Sequence, residues 1–203
     1  MAHVERNSAA PPASDIRQRA LSNLQYIRGT MEAAGSFTAV PGRGTIAMGL
    51  IALVASALAS TPPLREYWLA VWGGAAVLAF PAGVMSILIK MKSKRQSVLH
   101  GSARRFLLTL APAMLAAAAL TVGLLRAGEP ALIPSVWLLG YGAGIAATGS
   151  FTARPVALMG ASFMLLGGAA LFTPPGWCNA MLAAGFGGLH IAFGIWIAWI
   201  DGE

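Results

Sequence analysis

Six stretches of this chain are long, apolar and free of Asp, Glu, Lys and Arg in their interiors. They cover approximately residues 44–60, 68–89, 106–125, 131–147, 155–172 and 177–200. A helix needs roughly 20 apolar residues, and about 17 at the least, to cross the hydrocarbon core of a bilayer. Only 10% of the residues are charged, which is too few for a soluble domain of this length. The sequence therefore predicts an all-α, polytopic membrane protein with six transmembrane helices.

The N-terminal part is more polar than the rest. Residues 1–14 are rich in Pro, Ala and Ser and predict a flexible tail. Over residues 15–34, apolar side chains recur every three or four positions with arginines between them, which predicts an amphipathic helix on the cytoplasmic side. The six-helix domain is then expected over residues 35–203.

The basic residues predict how the helices are oriented. If the six helices alternate in direction, 12 of the 14 Lys and Arg residues lie on one side and only Arg65 and Arg126 on the other. Lys and Arg near the ends of spans concentrate on the cytoplasmic side. We therefore expect both termini in the cytoplasm. The 12 residues are Arg6, Arg17, Arg19, Arg28, Arg43, Lys90, Lys92, Lys94, Arg95, Arg104, Arg105 and Arg154.

One heptapeptide occurs twice. GSFTAVP at residues 35–41 returns as GSFTARP at 149–155, and each copy is followed at similar distances by Met-Gly, by Thr-Pro-Pro and by a Trp-led apolar stretch. Such self-similarity indicates an internal duplication. The predicted repeat units are about 15–89 and 131–200, linked by helix 106–125. Both enter the membrane from the same side, which predicts a pseudo-twofold axis along the membrane normal.

Each heptapeptide has the composition of a helix start. Ser or Thr can accept hydrogen bonds from free backbone N–H groups, and Pro is tolerated in the first turn. A functional alternative is that the two positive helix ends form a cytoplasmic site for an anion or a partner. The candidate residues for that site are Ser36, Thr38, Arg43, Ser150, Thr152 and Arg154.

His190 is the one ionisable side chain predicted deep inside a span. An ionisable residue at that depth is a functional hypothesis, although a neutral histidine can also serve as an interhelical hydrogen-bond donor. Tyr141 and Ser162 are expected at similar depth in the fourth and fifth spans. The three side chains form a candidate midplane polar cluster for binding.

Small residues predict close helix contacts at two places. Gly140 and Gly144 are four residues apart in the fourth span, and Ala184, Gly188 and Ala192 follow the same spacing in the sixth. Such stripes let two helix backbones approach closely. The contacts are expected inside the bundle or in a homodimer.

The sequence carries no recognisable catalytic or metal-binding pattern. It has one cysteine, no HExxH motif and no paired carboxylates in the spans, so we expect no enzyme, no metal and no cofactor. The basic loop lacks the aromatic residues and motifs of nucleic-acid binding. It is instead a candidate contact for anionic lipid headgroups, through Lys90, Lys92, Lys94, Arg95, Arg104 and Arg105.

The stretch RGTMEAAGSFTAVPGRGTIAMGLIAL at residues 28–53 resembles a segment of uncharacterised multi-pass membrane proteins of bacteria. The resemblance implies a bacterial inner-membrane location and names no activity. From the absence of charged groups in the spans, we expect a non-enzymatic membrane subunit, scaffold or regulatory partner with a basic cytoplasmic surface. The alternative is a small-solute permease or channel with His190, Tyr141 and Ser162 along its path.

Overall fold

The fold is described from a computed structural model, over residues 17–19, 21–27, 40–93, 102–149 and 152–202. The chain divides into two compact units, Met1–Ser36 and Phe37–Glu203. In the first unit, residues 17–19 and 21–27 are helical, as the amphipathic pattern predicts. Leu21, Leu24 and Ile27 are exposed there. The predicted tail at 1–14 and the rest of the 15–34 segment lie outside the described residues.

The second unit is built from helices, and no strand occurs in its described part. Five helices are regular, and the last apolar stretch forms two helices around a π-helical turn. Their bounds are α1 Gly42–Ser60, α2 Trp68–Ser93, α3 Ser102–Ala127, α4 Ile133–Thr148, α5 Arg154–Ala170, α6 Cys178–Leu182, the π segment Ala183–Leu189 and α7 His190–Asp201. Short 3-10 turns precede α2, α4 and α6. The predicted all-α class is confirmed for the described residues.

Five of these helical stretches are long and apolar enough to cross a membrane, counting α6, the π segment and α7 as one. α5 is also apolar but has only 17 residues. At about 1.5 Å per residue it is roughly 26 Å long, which is short of a hydrocarbon core of about 30 Å. The fold thus supports a helical membrane protein.

α3, which like α2 has 26 residues, extends past its apolar core at both ends. α3 begins four residues before the predicted 106–125 stretch and ends two residues after it. Arg104, Arg105 and Arg126 lie in these extensions and are exposed. Arginine side chains can reach the polar interface from there, so the helix continues beyond the apolar run. Pro81 and Pro112 lie inside α2 and α3, and neither ends its helix.

The first and last helices of the second unit pack backbone against backbone. A Cβ added to Gly42 would lie 2.3 Å from the backbone N of Ala198, and one added to Gly49 would lie 2.9 Å from the carbonyl oxygen of Gly187. The order of these contacts along the chain makes α1 and α7 antiparallel. Such an approach is possible only because these positions lack side chains.

α4 is held in the same way on two sides. A Cβ added to Gly160 of α5 would lie 2.3 Å from the backbone N of Ala146 of α4. On the other side, a Cβ added to Gly144 would meet Leu110 of α3 at 2.6 Å, and one added to Gly140 would meet Ala117 at 3.0 Å. The predicted close contact of Gly140 and Gly144 is therefore confirmed, with α3 as the partner. By contrast, Ala184, Gly188 and Ala192 are exposed.

Polar side chains join the helices at both ends of the bundle. At one end, the Lys90 ammonium donates to the Asp201 carboxylate and to the carbonyl oxygen of Val40, which joins the ends of α2 and α7 to the start of α1. At the other end, Asn179 accepts a hydrogen bond from Trp72 Nε1 at 2.9 Å and donates to Ser60 Oγ at 2.8 Å. These bonds connect α1, α2 and the last helical stretch.

α2 and α3 follow each other in the chain but scarcely touch among the described residues. Although only residues 94–101 separate them, the two helices do not pack against each other as a hairpin. α2 packs on α1, where a Cβ on Gly44 would meet Ser86, whereas α3 packs on α4. The two helices have separate partners, so a space remains between them.

Candidate functional site

Tyr141 and His190 form a hydrogen-bonded pair in the interior of the bundle. The Tyr141 hydroxyl and His190 Nε2 are 2.8 Å apart. Tyr141 lies in the middle of α4 and His190 is the first residue of α7, so the pair is at mid-height in both helical stretches. His190 is only 2% exposed. The structure therefore brings Tyr141 and His190 into direct contact.

Two phenylalanines enclose this pair. The Phe163 ring packs edge-on against both partners, at centroid distances of 4.8 Å to Tyr141 and 5.2 Å to His190. Phe186 lies 5.4 Å from the Tyr141 ring and is stacked on His190 at 6.0 Å. Tilted and edge-on aromatic contacts of this kind are favourable. The pair is consequently held in place by packing as well as by its hydrogen bond.

The π segment Ala183–Leu189 ends immediately before His190. A π-helical turn holds one more residue than an α-helical turn, and such turns occur often at functional sites. The segment contains Gly185 and Gly187, whose missing side chains leave room for Leu138 and Leu53. Apolar periodicity in the sequence gave no sign of this turn.

Ser162 is not part of the pair. Its hydroxyl donates to the carbonyl oxygen of Leu158 in its own helix, at 2.9 Å. His190 Nδ1 is buried, and the backbone carbonyl groups of Gly185 and Phe186 lie next to the imidazole ring. The predicted cluster of three is therefore reduced to Tyr141 and His190, because α5 turns Phe163 and not Ser162 towards them.

A cleft lies beside the pair, in the space between α2 and α3. It has a volume of about 490 Å³, within the range of roughly 300–1,000 Å³ for small-molecule sites. α2 and α3 form its walls, and α1, α4 and the last helical stretch contribute the remaining lining, which includes Tyr141, His190 and Phe186. We call this space the α2–α3 cleft. None of its lining residues is charged.

The starts of α1 and α5 are not capped by side chains as the sequence predicts. Pro41 and Ala153 are the N-cap residues of α1 and α5, with no side-chain cap hydrogen bond. The Thr152 hydroxyl donates to the carbonyl oxygen of Thr148, at 2.9 Å. The prediction that Thr152 caps α5 is therefore wrong, because the Thr152 hydroxyl finds an acceptor in the last turn of α4. Pro155 is in the first turn of α5, as predicted.

The other residues of the two motifs are only partly described. Ser36, Thr38 and Ser150 lie outside the described residues. Arg43 and Arg154 are both exposed, but they belong to α1 and α5, which scarcely touch among the described residues. The described part of the chain does not join the two helix starts into one site.

The basic residues predicted to contact lipid headgroups differ in their exposure and partners. Lys92, Arg104 and Arg105 are exposed, and Lys94 and Arg95 lie outside the described residues. Lys90 is bonded to Asp201 and its side chain is only 10% exposed. It is therefore a structural residue and not a lipid contact. Sequence reasoning missed this pair, although both residues were expected at the cytoplasmic ends of their helices.

Comparison with known proteins identifies no relative. No family model, no curated protein and no solved structure matches the chain. The assignment of function therefore depends on the residues and geometry described above.

Proposed function

We propose that this chain is a non-enzymatic integral membrane protein, a subunit or regulatory partner that presents a basic surface and an amphipathic helix to the cytoplasm. The observation that carries the proposal is the separation of charge in the bundle. Exposed basic residues gather where α1, α3 and α5 begin and α2 ends, namely Arg43, Lys92, Arg104, Arg105 and Arg154. The opposite end has Arg65 and Arg126.

This arrangement favours a topology with six spans and both termini in the cytoplasm. Contacts between α1 and α2, between α3 and α4, and between α4 and α5 run in antiparallel order, so the basic helix ends lie on one side. An excess of Lys and Arg marks the cytoplasmic side. α5 crosses as the sixth span if the bilayer thins locally to match its length. The resemblance of residues 28–53 favours the bacterial inner membrane.

A parallel internal repeat is part of the same proposal. In the duplicated pattern, Gly49 corresponds to Gly160. Each is a point of close backbone approach, Gly49 to the π segment and Gly160 to α4. A duplicated helix with the same small residue at its contact supports a common origin for the two halves, which have since acquired different neighbours.

The helical residues 17–19 and 21–27 supply the surface for a protein partner. Leu21, Leu24 and Ile27 are 53%, 62% and 51% exposed, and an amphipathic helix binds through such an apolar face. The exposed basic residues Lys92, Arg104 and Arg105 add attraction to anionic headgroups, at about 1 kcal/mol for each residue near the surface. A second copy of this chain is another partner, through the exposed stripe of Ala184, Gly188 and Ala192.

Quantitative co-purification tests the proposal. The full chain is isolated from crosslinked native membranes, beside the double variant Leu21→Ser/Leu24→Ser and the control Ser22→Ala, which changes a neighbouring exposed residue. We expect one protein to be enriched with wild type and control and at least tenfold less with the double variant. Recovery of no partner, or equal recovery with all three chains, would contradict the proposal.

A second candidate function is that of a small-solute permease or channel. The Tyr141–His190 hydrogen bond at mid-height favours it, because polar groups at that depth often mark a solute path. The test is solute flux into proteoliposomes with wild type and with His190→Ala. Flux that disappears in the variant, while its circular dichroism and elution volume stay unchanged, would support transport. The absence of flux in the wild type would dismiss it for the solutes tried.

A further inference from the structure

The α2–α3 cleft has the features of a binding site for a lipid-soluble molecule. Its lining on α3 runs from Phe106 to Thr121, which is about 22 Å of helix at 1.5 Å per residue. The cleft is therefore long enough to extend over most of the hydrocarbon core. Its polar groups are the Tyr141–His190 pair near the middle and, at one end, Thr121 and the indole groups of Trp72 and Trp137. The groups at that end are hydrogen-bonded within the protein.

The polar group in the middle is the Tyr141–His190 pair. A neutral imidazole has one donor and one acceptor, and a phenol has one donor and two acceptor lone pairs. If His190 Nε2–H donates to the Tyr141 oxygen, the Tyr141 proton is left for another acceptor. If Tyr141 donates to Nε2, its oxygen is left to accept. In both tautomers the pair, which lines the cleft, keeps hydrogen-bonding capacity.

His190 holds the pair in place beside the cleft. Its side chain is 2% exposed and lines the cleft, and the backbone carbonyl groups of Gly185 and Phe186 lie next to its ring. The hydrogen-bonding capacity left for a guest is therefore that of the Tyr141 hydroxyl.

The lining excludes charged guests and selects for a flat one. It contains no charged side chain, and a charged headgroup at mid-membrane depth is costly. A phospholipid headgroup therefore does not match this position. Offset stacking on aromatic rings favours a planar group. Five aromatic side chains besides Tyr141 line the cleft, namely Trp72, Phe80, Phe106, Trp137 and Phe186.

From these features we infer that the α2–α3 cleft binds an isoprenoid quinone or its quinol, with the ring at Tyr141 and His190 and the apolar tail along α2 and α3. A quinone carbonyl accepts a hydrogen bond from the Tyr141 hydroxyl, and a quinol hydroxyl donates a hydrogen bond to the Tyr141 oxygen. The inference concerns binding and is independent of the cytoplasmic partner.

Tryptophan fluorescence provides the assay, because quinones quench indole emission at short range and Trp72 and Trp137 both line the cleft. The full chain is placed in phosphatidylcholine nanodiscs and titrated with decylubiquinone. We expect quenching that saturates. Quenching that stays linear, and is the same in every variant, would show only partition into the bilayer and would overturn the proposal.

Two glycines of α2 give a matched pair of variants. A Cβ added to Gly73 or to Gly74 meets nothing within 4 Å, so both positions have open space at the start of a new side chain. Gly73 lines the cleft and Gly74 is not part of the lining. We expect Gly73→Leu to abolish the saturable component and Gly74→Leu to retain it. Equal binding by both variants would contradict the assignment of the cleft.

The anchor is tested with Tyr141→Phe, which keeps the ring and removes the hydroxyl. The loss of one hydrogen bond should weaken binding about threefold to tenfold. Tyr67→Phe is the control, because Tyr67 is 61% exposed and outside the cleft. Unchanged affinity in Tyr141→Phe would refute the polar anchor. Titration with the reduced quinol under anaerobic conditions shows whether the pair also binds a donor.

Discussion

The close approach of α4 and α5 makes a sharp prediction for Gly160. In Gly160→Ala the new Cβ would lie 2.3 Å from the backbone N of Ala146 and 2.8 Å from the carbonyl oxygen of Gly142. Ordinary contact begins at 3.4 Å, so the helices must separate by about 1.1 Å. Because the obstacles are backbone atoms, no side-chain rotation relieves the clash.

The expected cost follows from the size of this displacement. Overpacking a close contact costs about 1–3 kcal/mol, and we expect the upper part of that range, about 2–3 kcal/mol, since Phe163 and the Tyr141 ring must move as well. Gly168→Ala is the control in the same helix, because a Cβ there meets nothing within 4 Å. We expect it to change the free energy of unfolding by less than about 0.5 kcal/mol.

The assay is unfolding by sodium dodecyl sulfate in dodecyl maltoside micelles, followed by circular dichroism. The transition of Gly160→Ala should move to a lower mole fraction of sodium dodecyl sulfate, and that of Gly168→Ala should coincide with wild type. Coincidence of all three transitions would refute the argument that the absence of a side chain at Gly160 holds α4 and α5 together.

Three further predictions concern polar contacts and burial elsewhere in the bundle. Asp201→Asn should lower the free energy of unfolding by about 1.5–3 kcal/mol, because the buried Lys90 ammonium loses its charged partner, and by clearly less in a Lys90→Met background; equal costs in both backgrounds would contradict the ion pair. Asn179→Ala should cost about 1–3 kcal/mol, since Trp72 Nε1 loses its acceptor, and an unchanged unfolding transition would contradict this. In a Cys178→Ser background, a cysteine at position 190 should resist an aqueous maleimide whereas one at position 43 reacts, and rapid labelling of both would contradict the burial of position 190.

The helices themselves could be predicted from the sequence. Each predicted stretch corresponds to a helical segment whose ends differ by a few residues, because the cost of burying a charge in lipid is a property of each segment alone. The Tyr141–His190 contact could also be anticipated from the sequence, since both residues were expected at the same depth. Ser162 was expected at that depth too, and only its direction on α5 separates it from the pair.

Which helices pack against each other, in contrast, could not be predicted from the sequence. Nothing in the apolar pattern separates α2 from α3, joins Lys90 to Asp201, or places a π-helical turn before His190. In lipid, every apolar face is equally compatible with the surroundings, so the hydropathy of a helix does not say which face meets which neighbour. That choice depends on the matching of shapes, such as Gly42 against Ala198 and Gly160 against Ala146.

The order of residues along the chain is enough to predict that it forms apolar helices, where these begin and end to within a few residues, and which end of the bundle is basic. These properties depend on the composition of each segment and on its length relative to a bilayer. The packing of the helices, in contrast, is what keeps α2 and α3 apart, leaves a cleft between them and places Tyr141 and His190 in its lining. A cleft is made of several helices at once, so its existence depends on contacts between residues far apart in the chain.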